Sequence, residues 1–264
     1  SLVKDLGGID NLLLASFQGG VSINATLNEP YGTIRGSNFV FKDGKRVVNN
    51  SGALPGFSRI SPPSNEVIGD VNPDWIGGVF NRLRYKNFDL SFLVDIKQGG
   101  DMFSLDLYYG LATGLYPETV GNNDLGNPVR NAKTADDKSG GVILDGVKEN
   151  ADGTFSTNDL RVAAQYFGTW GYRRNPAAGF IYDASYVKLR ELNLNYTLPS
   201  SLFQNSSFIK GATIGLFGRN LWIISKNMKY SDPEDGLSSG NVQGYQVGTY
   251  PTAKVMGVNF NLKF

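Results

Sequence analysis

Over residues 254–264 apolar and polar positions alternate almost without fault. Met256, Val258, Phe260, Leu262 and Phe264 fall on one parity; Gly257, Asn259, Asn261 and Lys263 fall on the other. Successive side chains of a strand point to opposite faces, so this run predicts a strand with one apolar and one polar face. Four more segments read the same way. Phe88, Leu90, Phe92, Val94 and Ile96 alternate with Asp89, Ser91, Leu93, Asp95 and Lys97. Trp75, Val79, Leu83 and Tyr85 share a face opposite Phe80, Arg82 and Arg84. Only Lys86-Asn87 separates those two runs, which predicts a two-residue hairpin turn with Asn87 at positive φ. Over 210–224, Ala212, Ile214, Leu216, Trp222 and Ile224 stand against Thr213, Gly215, Phe217 and Arg219. In 184–198, Leu192, Leu194, Tyr196 and Leu198 face one way, but Val187 and Leu189 have the other parity. A bulge near Arg190-Glu191, or an apolar patch on the polar face, accounts for the slip.

The connections alternate in length. Lys86-Asn87 and residues 199–208 are short, whereas 99–183 and 225–251 far exceed the usual ~4–6 residues. Short turns at one end of the strands and long loops at the other are the asymmetry of an outer-membrane barrel. A final strand that stops on an aromatic residue, Phe264, agrees with that reading. The expected fold is therefore all-β: C-terminal antiparallel strands of a large transmembrane β-barrel with long extracellular loops. The expected division is a loop region with a hairpin over 1–73, a transmembrane hairpin over 74–98, and a long loop over 99–183. A transmembrane strand pair over 184–224, a loop over 225–251 and a last transmembrane strand over 252–264 complete it. Asp43-Gly44 is the expected tip of a hairpin in 31–48, and Asp152-Gly153 that of another in 141–158. Residues 101–112 have helical spacing in Met102, Leu105 and Tyr109, residues 157–168 read as a capped helix, and Pro199 starts a helical turn.

Composition narrows the chemistry. The 264 residues carry a net charge of +1 and no basic run, which speaks against nucleic acid. With 29 Tyr and Phe against three Met, the aromatic bias suits strands and interfacial belts better than helical bundles. No apolar run reaches the roughly 18 residues of a membrane-spanning helix. There is no Cys and no His, which removes disulfides, thiolate nucleophiles, Ser-His-Asp triads and His or Cys metal sites.

The same segments resemble a known family. "IGDVNPDWIGGVFNRLRYKNFDLSFLVDIKQGGDMFS" over 68–104 is similar to a stretch of the SusC/RagA family of TonB-dependent outer-membrane transporters. There a Pro-x-Trp strand, a Tyr-Lys-Asn-Phe turn and a Gly-Gly-Asp exit recur in that order. "DASYVKLRELNLNYTLPSSL" resembles the next strand and its Pro-started turn, and "GLFGRNLWIISK" the Gly-Arg-Asn-Leu strand. "SDPE" over 231–234, followed by "YPTAKVMGVNFNLKF", resembles the closing loop and strand. The opening "GGVSINATLNEPYGTIRG" fits as well, so the likeness covers nearly the whole chain. It implies a barrel of about 22 strands around a plug. It also implies oligosaccharide or peptide uptake across the bacterial outer membrane with a SusD-like lipoprotein, driven by TonB acting on an N-terminal region, and no cofactor. Five strands leave two edges that lipid does not tolerate. The chain is thus expected to be a C-terminal piece, or one partner of a split barrel, meeting the remaining barrel, the plug and lipid.

Candidate site residues follow from the facing. Arg82, Arg84, Asp89, Asp95 and Arg219, with Lys97, Asn259, Asn261 and Lys263, lie on the polar parity. They line a solute path or a plug contact, unless they merely satisfy one another across strands. Loop aromatics, chiefly Tyr108, Tyr109, Trp170 and Tyr172, either stack on solute or pack the loop. Asp232, Glu234 and Asp235 offer oxygens of the kind calcium prefers, but Pro233 among them reads as a loop turn. Residues 148–159 resemble a calcium loop except that Lys148 stands where its first carboxylate belongs. No metal site and no catalytic residue is expected. The rival readings are a soluble β-rich carbohydrate-binding module and an all-β glycosidase, for which no carboxylate pair is marked.

Overall fold

A computed structural model of the chain describes residues 2–61, 66–237, 240, 243–248, 250 and 252–264. They fall into two compact units: 1–72 with 101–182 and 236–249, and 73–100 with 183–235 and 250–264.

The second unit is one antiparallel sheet of five long strands. In chain order they are Pro73–Tyr85, Phe88–Gly99, Tyr186–Thr197, Gly211–Lys226 and Val255–Lys263, and each lies beside its predecessor. At 9 to 16 residues they exceed the ~5–6 of an average globular strand. The register places Tyr85 opposite Phe88, Leu83 opposite Leu90 and Val79 opposite Val94. Phe92 meets Leu192, Leu194 meets Leu216, and Leu216 meets Val258. These side chains form one apolar face, and it stays open: Leu83, Leu216 and Val258 are 57%, 54% and 67% exposed. The sorting is not perfect. Asn81 lies on the apolar face opposite Phe92, while Phe80 and Leu93 pair on the polar one.

The parity slip in the third strand resolves as a bulge. Leu189 pairs with Val94 and Glu191 with Leu93, so Arg190 is an extra residue against the second strand. Opposite, Leu189 pairs with Trp222 and Glu191 with Arg219, and Asn220 takes a left-handed φ of 51°. The insertion keeps Val187, Leu189, Leu192 and Leu194 on the same apolar face, although their numbers change parity. It also leaves Lys188, Arg190 and Glu191 for the polar face. The alternative, an apolar patch there, is excluded.

The first unit holds its own core. Strands Asn11–Phe17, Val21–Thr26, Thr33–Gly36 and Glu66–Asp70 form an antiparallel sheet. Val21, Ile23, Ile34, Phe103, Leu107 and Phe180 are buried against one another. A short helix, Leu105–Gly110, starts where the Ser104 side chain accepts the Leu107 amide at 3.2 Å. Hairpins turn at Asp43-Gly44 and around Asp152-Gly153, between Phe41–Lys42 and Lys45–Val48 and between Val147–Glu149 and Phe155–Thr157. A 3-10 turn follows Pro199.

Two expectations fail. Residues 157–168 hold no helix: Asn158 donates to the Leu144 carbonyl and accepts the Leu160 amide, and Arg161–Val162 pairs with Val142–Ile143. A side chain that bonds nearby backbone offers an alternative to the helix, and here strand pairing takes the amides. In the hairpin turn it is Lys86, at φ 50°, that turns left-handed and not Asn87. The loop over 225–251 is also divided, since 225–235 belong with the long sheet and 236–249 with the first unit. Within it Ser238, Ser239, Asn241, Val242, Thr249 and Pro251 lie outside the described residues.

If the bulge sets the facing, deleting Arg190 turns Val187 and Leu189 onto the polar face, whereas Arg190→Gly keeps the count. The deletion is expected to abolish the heat-shifted folded band on unheated gels, and the substitution to retain it. Equal loss in both variants contradicts the register.

Candidate functional site

The polar face of the long sheet gathers its charges at two levels. At the turn end Asp89 accepts from Arg82 at 2.8 and 2.6 Å and from Arg84 at 2.6 Å. Two guanidinium groups share one carboxylate, so this end keeps a positive excess. Beside it Asn195, Gly215 and Asn259 lie in register on three strands. A Cβ at position 215 would stand 2.1 Å from Asn195 Oδ1 and 2.3 Å from Asn259 Oδ1, so only glycine lets the two amides converge. Together with Thr213 and Asn261 they line a shallow polar hollow.

The connector end holds a denser network. Lys188 donates to Asp232 and, at 2.6 Å, to Glu234. Arg190 grips both Glu234 oxygens at 2.8 Å each and also donates to Asp95. The Tyr186 hydroxyl donates its one proton to Glu234 at 3.1 Å, with an Asp95 oxygen 3.3 Å from the same atom. Thr252, leading into the fifth strand, donates to the second Asp232 oxygen at 3.0 Å. The Lys188 and Asp232 side chains are only 4% and 7% exposed. Burial pushes the Glu234 carboxyl up, but the hydrogen bonds and charges of Arg190 and Lys188 prevail and hold it at about 2. Asp235 goes the other way, pushed up by burial and by the neighbouring Asp232 carboxylate.

The predicted residues thus divide. Arg82, Arg84 and Asp89 meet at the turn end, Asp95 joins the connector-end network, and Arg219 stands 3.7 Å from Glu191 with both side chains open. Asp232 and Glu234 are engaged by Lys188 and Arg190. In the first unit Tyr108, Tyr109 and Tyr172 are in mutual ring contact, with centroids 5.0 to 5.2 Å apart. Trp170 packs against the core. Lys188 escaped sequence reasoning; its only trace was the parity slip two residues on.

This geometry has relatives. No family model matches the chain. TonB-dependent receptor P3 of Formosa agariphila is 28% identical over 217 residues, covering 80% of this chain and 18% of that protein. TonB-dependent receptor P26 of the same organism is 26% identical over 215 residues, 78% and 18%. The chain is a relative of the TonB-dependent receptors. It spans under a fifth of their length. Solved structures of similar fold include the RagAB peptide transporter, with a TM-score of 0.60, 19% identity and coverage of 100% of this chain and 25% of that one. The RagAB peptide importer in its open–open state has a TM-score of 0.59 at 17% identity, covering 99% and 25%. The similarity to these structures runs over nearly the whole chain and is one of fold.

The low position of Glu234 fixes a pH dependence. A carboxyl held at about 2, against an ordinary 4.5, contributes stability that is complete above 4.5 and is lost as pH falls through 2. Thermal unfolding of the protein and of Glu234→Gln is expected to differ most at neutral pH and to converge between about pH 4.5 and 2. A constant difference down to pH 2 contradicts the ion pairing.

Proposed function

We propose that this chain is the C-terminal part of the barrel wall of a TonB-dependent importer in the bacterial outer membrane. The observation that carries the reading is the two-faced sheet. Its side chains sort into an open apolar face and a charged, amide-rich one, on strands long enough to cross the hydrocarbon core, for which about 9–11 residues suffice. Both short turns lie at one end and both long connections leave the other, the arrangement of periplasmic turns and extracellular loops. On this reading the apolar face meets lipid and the polar face lines the solute path or the plug. The first and fifth strands pair onward with strands supplied by the rest of the polypeptide or by a partner chain.

The cargo is proposed at the level of class, an oligosaccharide or a peptide, received with a SusD-like surface lipoprotein and moved by TonB acting through the plug region. The SusC/RagA-like motifs and the curated receptors support this. The solved relatives named as a RagAB peptide importer favour the peptide. The tyrosine trio of the first unit is the proposed solute contact, since its rings present flat apolar faces with polar tips. No catalytic role is assigned, because the relatives are receptors. The open apolar row also disfavours a soluble sugar-binding module, since a contiguous patch of this kind marks a membrane or protein contact.

The facing has a direct test. Phe92→Arg puts a charge on the lipid side near mid-strand, at a cost of about 2–4 kcal/mol in barrels of this kind. Asn193→Arg, on the opposite face of the adjacent strand, is expected to be tolerated. Loss of the folded outer-membrane band in the first variant only is the expected outcome; equal damage in both sinks the assignment.

A further inference from the structure

We propose that residues 231–235 form a strap clamped across the polar face of the long sheet, and that Lys188 and Arg190 are the positioning residues that hold it. The strap is short and tightly turned: the Asp235 amide donates to the Asp232 carbonyl at 2.9 Å, and the Glu234 amide to Asp232 Oδ1 at 3.0 Å. Asp232, Pro233 and Asp235 are all buried, although they belong to a connection and not to a strand. Loops ordinarily run over the surface, because burying their polar groups demands partners for each of them.

Those partners come from both directions. Lys188 and Arg190 reach up from the third strand, 44 residues away in sequence, and bind Asp232 and Glu234. Thr252 closes on Asp232 from the far side, three residues before the fifth strand begins. Lys226, the last residue of the fourth strand, donates to the Ser231 carbonyl at 2.7 Å. The strap is therefore tied to the end of the strand it leaves, to the segment that leads into the fifth strand and to the third strand, the fourth strand's neighbour in the sheet. Asp95, which shares the Arg190 guanidinium, has the same facing as Lys188, opposite which it pairs. That facing places the strap on the polar side of the sheet. On the importer reading, on which this step rests, it is a fixed ledge on the inner wall that passing solute meets, and not a mobile stretch of the last loop.

The test uses the full-length protein in outer-membrane vesicles and trypsin, whose sites Lys226 and Lys229 lie just before the strap in the chain. Lys188→Met is expected to raise the cleavage rate at those two sites at least tenfold, and Glu234→Gln several-fold. Lys210→Met, in the short turn at the opposite end, should leave it unchanged. The folded band should persist in all three. Cleavage of Lys188→Met and Glu234→Gln at the unsubstituted rate overturns the clamp. If Lys188→Met does not assemble, Glu234→Gln decides alone. Failure of the importer reading would show separately, as absence of the unsubstituted protein from the vesicles; cleavage is then compared in the fraction that holds it.

Discussion

A strand has no way to turn one side chain over without turning all those that follow, and everything in the long sheet depends on how that constraint is met at Arg190. Upstream of it the apolar residues Val187 and Leu189 have odd numbers; downstream, Leu192 and Leu194 have even ones. One inserted residue reconciles the two sets and keeps the apolar face continuous across five strands. The same insertion has a chemical result. It places three consecutive polar-face positions where regular alternation allows two, and they are occupied by Lys188, Arg190 and Glu191. The device that keeps one face uniform is thus the device that concentrates charge on the other.

Concentrated charge in a buried place is costly unless every group is answered. An exposed pair such as Arg84 with Asp89 is worth little either way, because water screens it. Lys188 and Asp232 are a different case: both are almost wholly buried, and leaving either alone costs on the order of 3–5 kcal/mol. The network avoids that by sharing. Glu234 accepts from Lys188, Arg190 and Tyr186, and Asp95 accepts from Arg190 Nε and Nη2 while Asn220 accepts from Nη1. Such a cluster specifies one arrangement of the connection more sharply than apolar packing does, since a shifted strap leaves a buried ion unpaired.

How much of this was legible in the sequence follows from the range of the interactions. The alternation from Met256 to Leu262 and from Phe88 to Ile96 is local, and each run names its own face. The hairpin between Tyr85 and Phe88 was equally plain, but the choice of Lys86 over Asn87 for the left-handed residue was not, because either position fits a two-residue turn. At Arg190 the slip was visible and its resolution was not; that required knowing the partner strands on both sides. The pairing of Lys188 with Asp232 spans 44 residues and has no periodic signature. The false helix over 157–168 came from reading Thr157 as a cap, while Asn158 was already committed to Leu144 and Leu160.

Long connections are thermodynamically cheap to close, each doubling of length costing only about 0.6 kcal/mol, but order within them is not. The two long connections of this chain meet that cost by different means. The one leaving Gly99 is ordered by the hydrophobic core of the first unit, where its Phe103, Leu107 and Phe180 are buried with Val21, Ile23 and Ile34. The one leaving Lys226 is ordered, over residues 231–235, by charge: buried carboxylates reach back to cations on a strand already fixed in the sheet. Apolar packing needs many residues to fill a volume, whereas an ion cluster needs only a few with exact partners. That difference explains how a strap of five residues is held where a fold of its own is out of reach.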